Sequence, residues 1–210
     1  IQNVYAFYTI DKPGFIIGGF DDSRSKFNYP VCSDCYNLIN KGKKIVSEKL
    51  SFKFYGLNYL LFPKLLIGNT SDYKDILDIY FDQTKQIELK EKKGKEYIGN
   101  EDEILYILKD NPNYITNTFM FIERQQAAER ILLQIDDVLP SRLRKIFEVK
   151  KIVENAFSTD EYKTIFTFIK IRQFFSKSDD GKKGNDLDEY FLTIIDSVFK
   201  EKNLELDFLL

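Results

Sequence analysis

Two cysteines, Cys32 and Cys35, stand in the stretch "YPVCSDCYNLINKGKK" (residues 29–44), and the chain holds no others. A C-x-x-C turn places both thiols on one side of a tight knuckle and can direct two thiolates at one tetrahedral metal. Structural zinc takes four ligands, usually from two such knuckles, and this chain has one. A redox pair is the second chemistry open to the spacing, since a helix starting near Ser33 would depress a thiol pKa. The βαβ surroundings of a thioredoxin-like motif are not visible, however. The third reading is a pair of cysteines that only packs, and these residues leave all three open.

The complete absence of histidine narrows the chemistry further. It removes Ser-His-Asp and Cys-His nucleophile activation and every zinc site that uses imidazole. Carboxylate enzymes survive this filter. Asp21–Asp22, Asp136–Asp137 and Asp179–Asp180 are the acidic pairs that a metal-dependent nuclease would draw on. Adjacent residues of a strand point to opposite faces, so capping and turn roles are expected for them. Asp136 and Asp137 also precede a helix whose N-terminus favours negative charge. "IIGGF" has two glycines but matches no phosphate-binding loop pattern.

Three basic segments are left: "KGKK" (41–44), "KEKKGKE" (90–96) and "SRLRKIFEVKK" (141–151). Lysine-rich helices usually form solvated faces, and the acids near these segments favour that reading. The third segment is the best candidate for phosphate contact. Arg142, Arg144 and Lys145 lie at a helix N-terminus, where free amides also favour an anion. With Lys151 they make up the candidate nucleic-acid residues.

The elements that must position these residues follow from pattern. "IQNVYAFYTI" and "FIIGGF" read as strands around the turn "DKPGF". Ser33 or Asp34 can cap a helix running to about Leu50. "FKFYGLNYLLFPKLLI" returns to strand character, with Pro63 marking an edge or a bulge. Helical spacing runs from Asp72 to Leu89, a charged loop follows, and Asn100 caps a short helix through Leu108. Residues 114–122 and 130–135 pair as a hairpin, although "ERQQAAE" between them favours helix. "LPSRLRKIFEVKKIVENAF" is the strongest helix, with Leu143, Ile146, Phe147, Val153 and Phe157 facing inward and Arg144, Glu148 and Lys151 opposite. From Thr159 onward the chain reads as all helical, interrupted by the polar loop "SKSDDGKKGND".

At 210 residues the chain buries enough surface, roughly 70% of the unfolded total, to fold without disulfides or metals. Its net charge of −2 exerts no global pull on nucleic acid, so any such contact is local. No apolar run approaches the roughly 20 residues of a membrane span, no secretory leader is expected, and two cysteines suit a reducing, cytoplasmic setting. Aromatic residues make up 15% of the chain, and most must fill a core. The fold class expected is α+β, a β-rich N-terminal part with interspersed helices followed by a helical C-terminal third. Residues 1–157 are expected to form the α+β domain, with 158–210 a helical segment packed on it.

Four blocks taken together resemble the large subunit of type I-B CRISPR interference complexes, the Cascade assemblies that carry a guide RNA. They are "DKPGFIIGGF" leading into "FNYPVCSDCYNLINKGKK", then "LSFKFYGLNYLLFPKLL", "ILLQIDDVLPSRLRKIFEVKK" and "YFLTIIDSVFKEKNLELDFLL". The resemblance implies a non-enzymatic subunit that helps a guide-RNA complex bind double-stranded target DNA. Its implied partners are the other Cascade subunits, the guide RNA, the target DNA and a helicase-nuclease effector. It further implies that this chain is a middle piece of a longer protein, with Cys32 and Cys35 the second knuckle of a four-cysteine zinc site. The first knuckle would lie before Ile1, so no cofactor is expected in this piece alone. The rival readings are a carboxylate-dependent metal nuclease and a scaffold that contacts only protein.

Overall fold

The computed structural model describes residues 21–27, 31–81, 103–110, 113–125, 128–159, 161–175 and 187–209. The strands expected before residue 21, the end of the helix expected to reach Leu89, the charged loop after it and the polar loop at 176–186 lie outside these. The chain divides into two compact units, Ile1–Ile45 and Val46–Leu210. In the first, Asp22–Phe27 forms a 3₁₀ helix. Asp21 Oδ1 accepts the Ser23 N–H at 3.0 Å and its hydroxyl at 2.6 Å, a local capping role typical of Asp. Helix α1 spans Ser33–Lys49 and has no buried residue.

The second unit is built on four strands: β1 (Ser51–Phe54), β2 (Leu57–Leu65), β3 (Ile115–Gln125) and β4 (Ala128–Val138). They lie in the order β1-β2-β3-β4 with every neighbour antiparallel. The helices are α2 (Thr70–Phe81), α3 (Glu103–Leu108), α4 (Pro140–Ala156), α5 (Phe168–Phe174), α6 (Asp188–Lys200) and α7 (Leu206–Leu209). The fold is mixed α+β, as the sequence pattern anticipates, and the described C-terminal part contains helices α5, α6 and α7.

The run 51–65 is a hairpin rather than one strand. Tyr55 and Gly56 both take positive φ, 51° and 88°, the geometry of a two-residue turn that matches strand twist. β2 alternates: Leu57, Tyr59, Leu61 and Pro63 are buried, and Asn58, Leu60 and Phe62 only partly so. Pro63 sits in a strand with two neighbours, yet its missing N–H costs little. The Leu61 N–H donates to Leu50 on the β1 side, so Pro63, two residues on, faces the same side beyond the end of β1. There its carbonyl accepts the Tyr73 hydroxyl of α2 at 2.7 Å.

The hairpin of β3 and β4 extends further than the apolar runs suggest. Glu123 pairs with Arg130 and Arg124 with Glu129 across the strands, and the Arg124–Glu129 ion pair is 3.2 Å. Cross-strand pairing overrides the helix preference of "ERQQAAE". The inner face gathers Tyr59, Leu61, Phe119, Phe121 and Ile135. Against it lie Phe191, Ile195 and Phe199 of α6. Phe54 is the hub, with ring contacts to Tyr55, Tyr59, Phe121, Phe168, Phe191 and Phe199. Tyr80 of α2 buries its ring and donates to Asn117 Oδ1 at 2.7 Å.

Two helical expectations are corrected. Residues 161–167 are not helical, because hydroxyls and carboxylates take over their backbone donors. The Thr164 N–H donates to Ser158 Oγ at 2.9 Å and the Phe166 N–H to Glu154 Oε1 at 2.8 Å. Phe157 does not face inward but is 71% exposed. Helix α4 ends at Ala156, so Phe157 leaves the helical stripe that its spacing from Leu143 promises. Among the described residues no helix is long and apolar enough to cross a membrane.

Candidate functional sites: the cysteine pair and the basic face of α4

Cys32 immediately precedes α1, and its carbonyl accepts the Tyr36 N–H at 2.9 Å. Its sulfur accepts the Cys35 N–H at 3.4 Å. The cap of this helix is therefore the Cys32 thiol, in place of the Ser33 or Asp34 side chain that the sequence suggests. Both thiols are free and exposed. The Cys35 N–H, followed by the Cys35 thiol and the Asp34 N–H, holds the Cys32 thiol below its ordinary pKa. The Cys35 thiol is pushed up, first by its hydrogen bond to Cys32 and then by the negative charge on that sulfur.

Two exposed thiols on one helical turn fit half of a tetrahedral zinc shell. Among the described residues no group of three or more His, Cys, Asp or Glu side chains is placed to hold a metal. A zinc ion at Cys32 and Cys35 therefore needs ligands from elsewhere.

The four basic candidates all lie on α4, but their environments differ. Arg142 is turned into the protein: Nε donates to the Val198 carbonyl at 2.9 Å, Nη2 donates to the same oxygen, and Nη1 pairs with Glu201 at 3.1 Å. These groups end α6, where Glu201 adopts left-handed φ of 57°. Arg142 thus supplies a cation to carbonyls that a helix C-terminus leaves unpaired. Arg144 does the same beyond α3, with Nε and Nη2 donating to the Lys109 carbonyl at 3.3 and 3.1 Å, yet it remains exposed. Lys145 is exposed and makes no hydrogen bond or ion pair with the described residues. Lys151 is also exposed. Arg144, Lys145 and Lys151 are therefore the candidates whose charge reaches solvent.

The acidic pair Asp136–Asp137 departs from the strand rule. The β3–β4 register shifts between Asn117 and Phe119, and Asp137 has φ of 55°, a bulge that breaks the alternation of faces. Asp136 accepts from Thr118 at 3.0 Å and Asp137 from Thr116 at 3.3 Å. Those threonines are two apart on β3, so the two carboxylates share one face. Gln134 Nε2 donates to both Asp136 oxygens at 3.0 and 3.1 Å. Asp179–Asp180 lies outside the described residues.

One arrangement escaped the sequence. Arg172 of α5 clamps Asp188 at the start of α6, and no motif marks either residue.

The chain is a CRISPR-associated protein. It belongs to the TM1802 family, the model of the family's central domain (CRISPR-associated protein TM1802, cas_TM1802) matching residues 1–138. No curated protein and no solved structure matches the chain. Its role lies in CRISPR defence.

Proposed function

We propose that the chain is a non-catalytic part of the large subunit of a type I-B Cascade complex, where it helps the guide-RNA assembly bind target DNA. The observation that carries this reading is the match of residues 1–138 to a CRISPR-associated central domain. The four sequence blocks supply the finer assignment. Its partners are the other Cascade subunits, the guide RNA, the target DNA and the helicase-nuclease effector. In the longer chain, Cys32 and Cys35 supply two of four zinc ligands. On α4, Arg144, Lys145 and Lys151 contact phosphates, and Arg142 holds the helix that carries them.

The test is binding of target duplex by the assembled complex over a salt series. Replacing Arg144, Lys145 and Lys151 with Glu lowers affinity and flattens the slope of log K against log salt. Each phosphate that is no longer neutralised changes the slope by up to about 0.9. An unchanged slope would remove α4 from the interface. Mn²⁺- or Mg²⁺-dependent DNA cleavage, abolished in an Asp136→Asn/Asp137→Asn variant, would replace the non-catalytic reading with a nuclease.

A further inference from the structure

We propose that a groove beside α4 docks an amphipathic helix of a protein partner, one whose apolar face is flanked by carboxylates. The groove has a volume of about 500 Å³. Ile146, Val149 and Val153 of α4 form one wall, with Phe166, Ile171 and Val198 across from them. These six residues all follow residue 138, beyond the family match. Val149 is 45% and Phe166 36% exposed, and Ile152 of α4 is 65% exposed. An apolar patch of this kind, open to water, marks an interaction site.

Shape and charge select the occupant. The α4 wall runs from Arg142 to Val153, about 16 Å at 1.5 Å per residue. A slot of that length suits three turns of helix presenting apolar side chains at i, i+3 or i+4, and i+7. Its charged lining residues are Arg142, Lys145 and Lys150, with no carboxylate among them. Arg142 and Lys150 are paired with Glu201 and Glu154, which leaves Lys145 for an acidic group on the incoming helix. A phosphate backbone has nothing apolar to fill the slot, so the apolar lining distinguishes this role from the DNA contact, with Lys145 shared by the two.

Two fluorescein-labelled helical peptides test the proposal by anisotropy against the 210-residue chain. Both carry the same leucine stripe, one flanked by Glu and the other by Lys. The Glu peptide binds about tenfold or more tightly than the Lys peptide. Val149→Asn, neutral and exposed, weakens both by about five- to tenfold, and Lys145→Glu weakens the Glu peptide while favouring the Lys peptide. Ile67→Asn, away from the groove, changes neither. Thermal melts verify that each variant is folded. Equal affinity for the two peptides, no binding, or a folded Val149→Asn chain that binds normally overturns the proposal. Self-association that Val149→Asn abolishes overturns it in favour of a second copy of this chain.

Discussion

Arg172 grips both carboxylate oxygens of Asp188, its Nε at 2.8 Å from one and its Nη2 at 2.9 Å from the other. Its Nη1 donates to the Tyr55 carbonyl in the β1–β2 turn. One guanidinium thereby ties α5, the first turn of α6 and the tip of the first hairpin. Both side chains are mostly buried, 20% and 14% exposed, so removing one strands the other's charge. Arg172→Ala therefore lowers stability by about 2–3 kcal/mol, read as a shift in the urea midpoint.

Gly56 depends on the same clamp. Its φ is 88°, and an added Cβ would lie 2.5 Å from Arg172 Nη1. Gly56→Ala costs about 1–3 kcal/mol from backbone strain alone, plus the displacement of a guanidinium that Asp188 holds in place. In an Arg172→Ala background the steric part vanishes. A double-mutant cycle by urea unfolding measures the coupling, and additive effects would show that the clamp yields freely.

Burial raises the Tyr73 phenol above its ordinary pKa, and its hydroxyl is the donor to Pro63. The unfolded chain releases this proton first, near pH 10. The stability contributed by Tyr73 is therefore complete below about pH 10 and lost as pH rises through the higher folded value. Tyr73→Phe lowers stability at neutral pH and flattens the decline above about pH 10. Urea unfolding at a series of alkaline pH values reads both effects.

The two cysteines respond to alkylation in a definite order. Cys32, with its pKa lowered, reacts with iodoacetamide ahead of Cys35 at neutral pH. Cys32→Ser removes the negative sulfur that pushes the Cys35 pKa up, so Cys35 then reacts faster than in the parent chain. Mass spectrometry after brief exposure distinguishes the sites, and equal rates would contradict the capping geometry.

Arg142 and Lys145 separate structure from binding on one helix. Arg142→Ala unpairs the end of α6 and lowers the melting temperature, at a cost of about 2 kcal/mol. It leaves the salt slope of DNA binding by the folded complex unchanged. Lys145→Ala has the opposite pattern, with an unchanged melting temperature and a smaller slope.

Much of this protein is written locally. Alternating apolar residues mark the strands, the apolar stripe of "SRLRKIFEVKK" marks α4, and the C-x-x-C spacing marks the paired thiols at the start of α1. Each of these is a period or a spacing within one segment, so a linear reading finds it. The lack of histidine removes whole classes of chemistry in the same way, and the four blocks lead to a CRISPR-associated family.

What escapes a linear reading depends on segments far apart in the chain. The turn at Tyr55–Gly56 splits an apparently continuous strand, and a guanidinium more than a hundred residues later packs where a Cβ at Gly56 would lie. The Asp136–Asp137 pair shares a face because β4 carries an extra residue against β3. Arg142 and Lys145 look alike in the sequence, and only the approach of the α6 terminus consumes one and spares the other. Composition and period set which elements form and which chemistries are open. Long-range packing assigns each charge to a carbonyl, a carboxylate or the solvent, since desolvation and hydrogen bonding are decided only where elements meet.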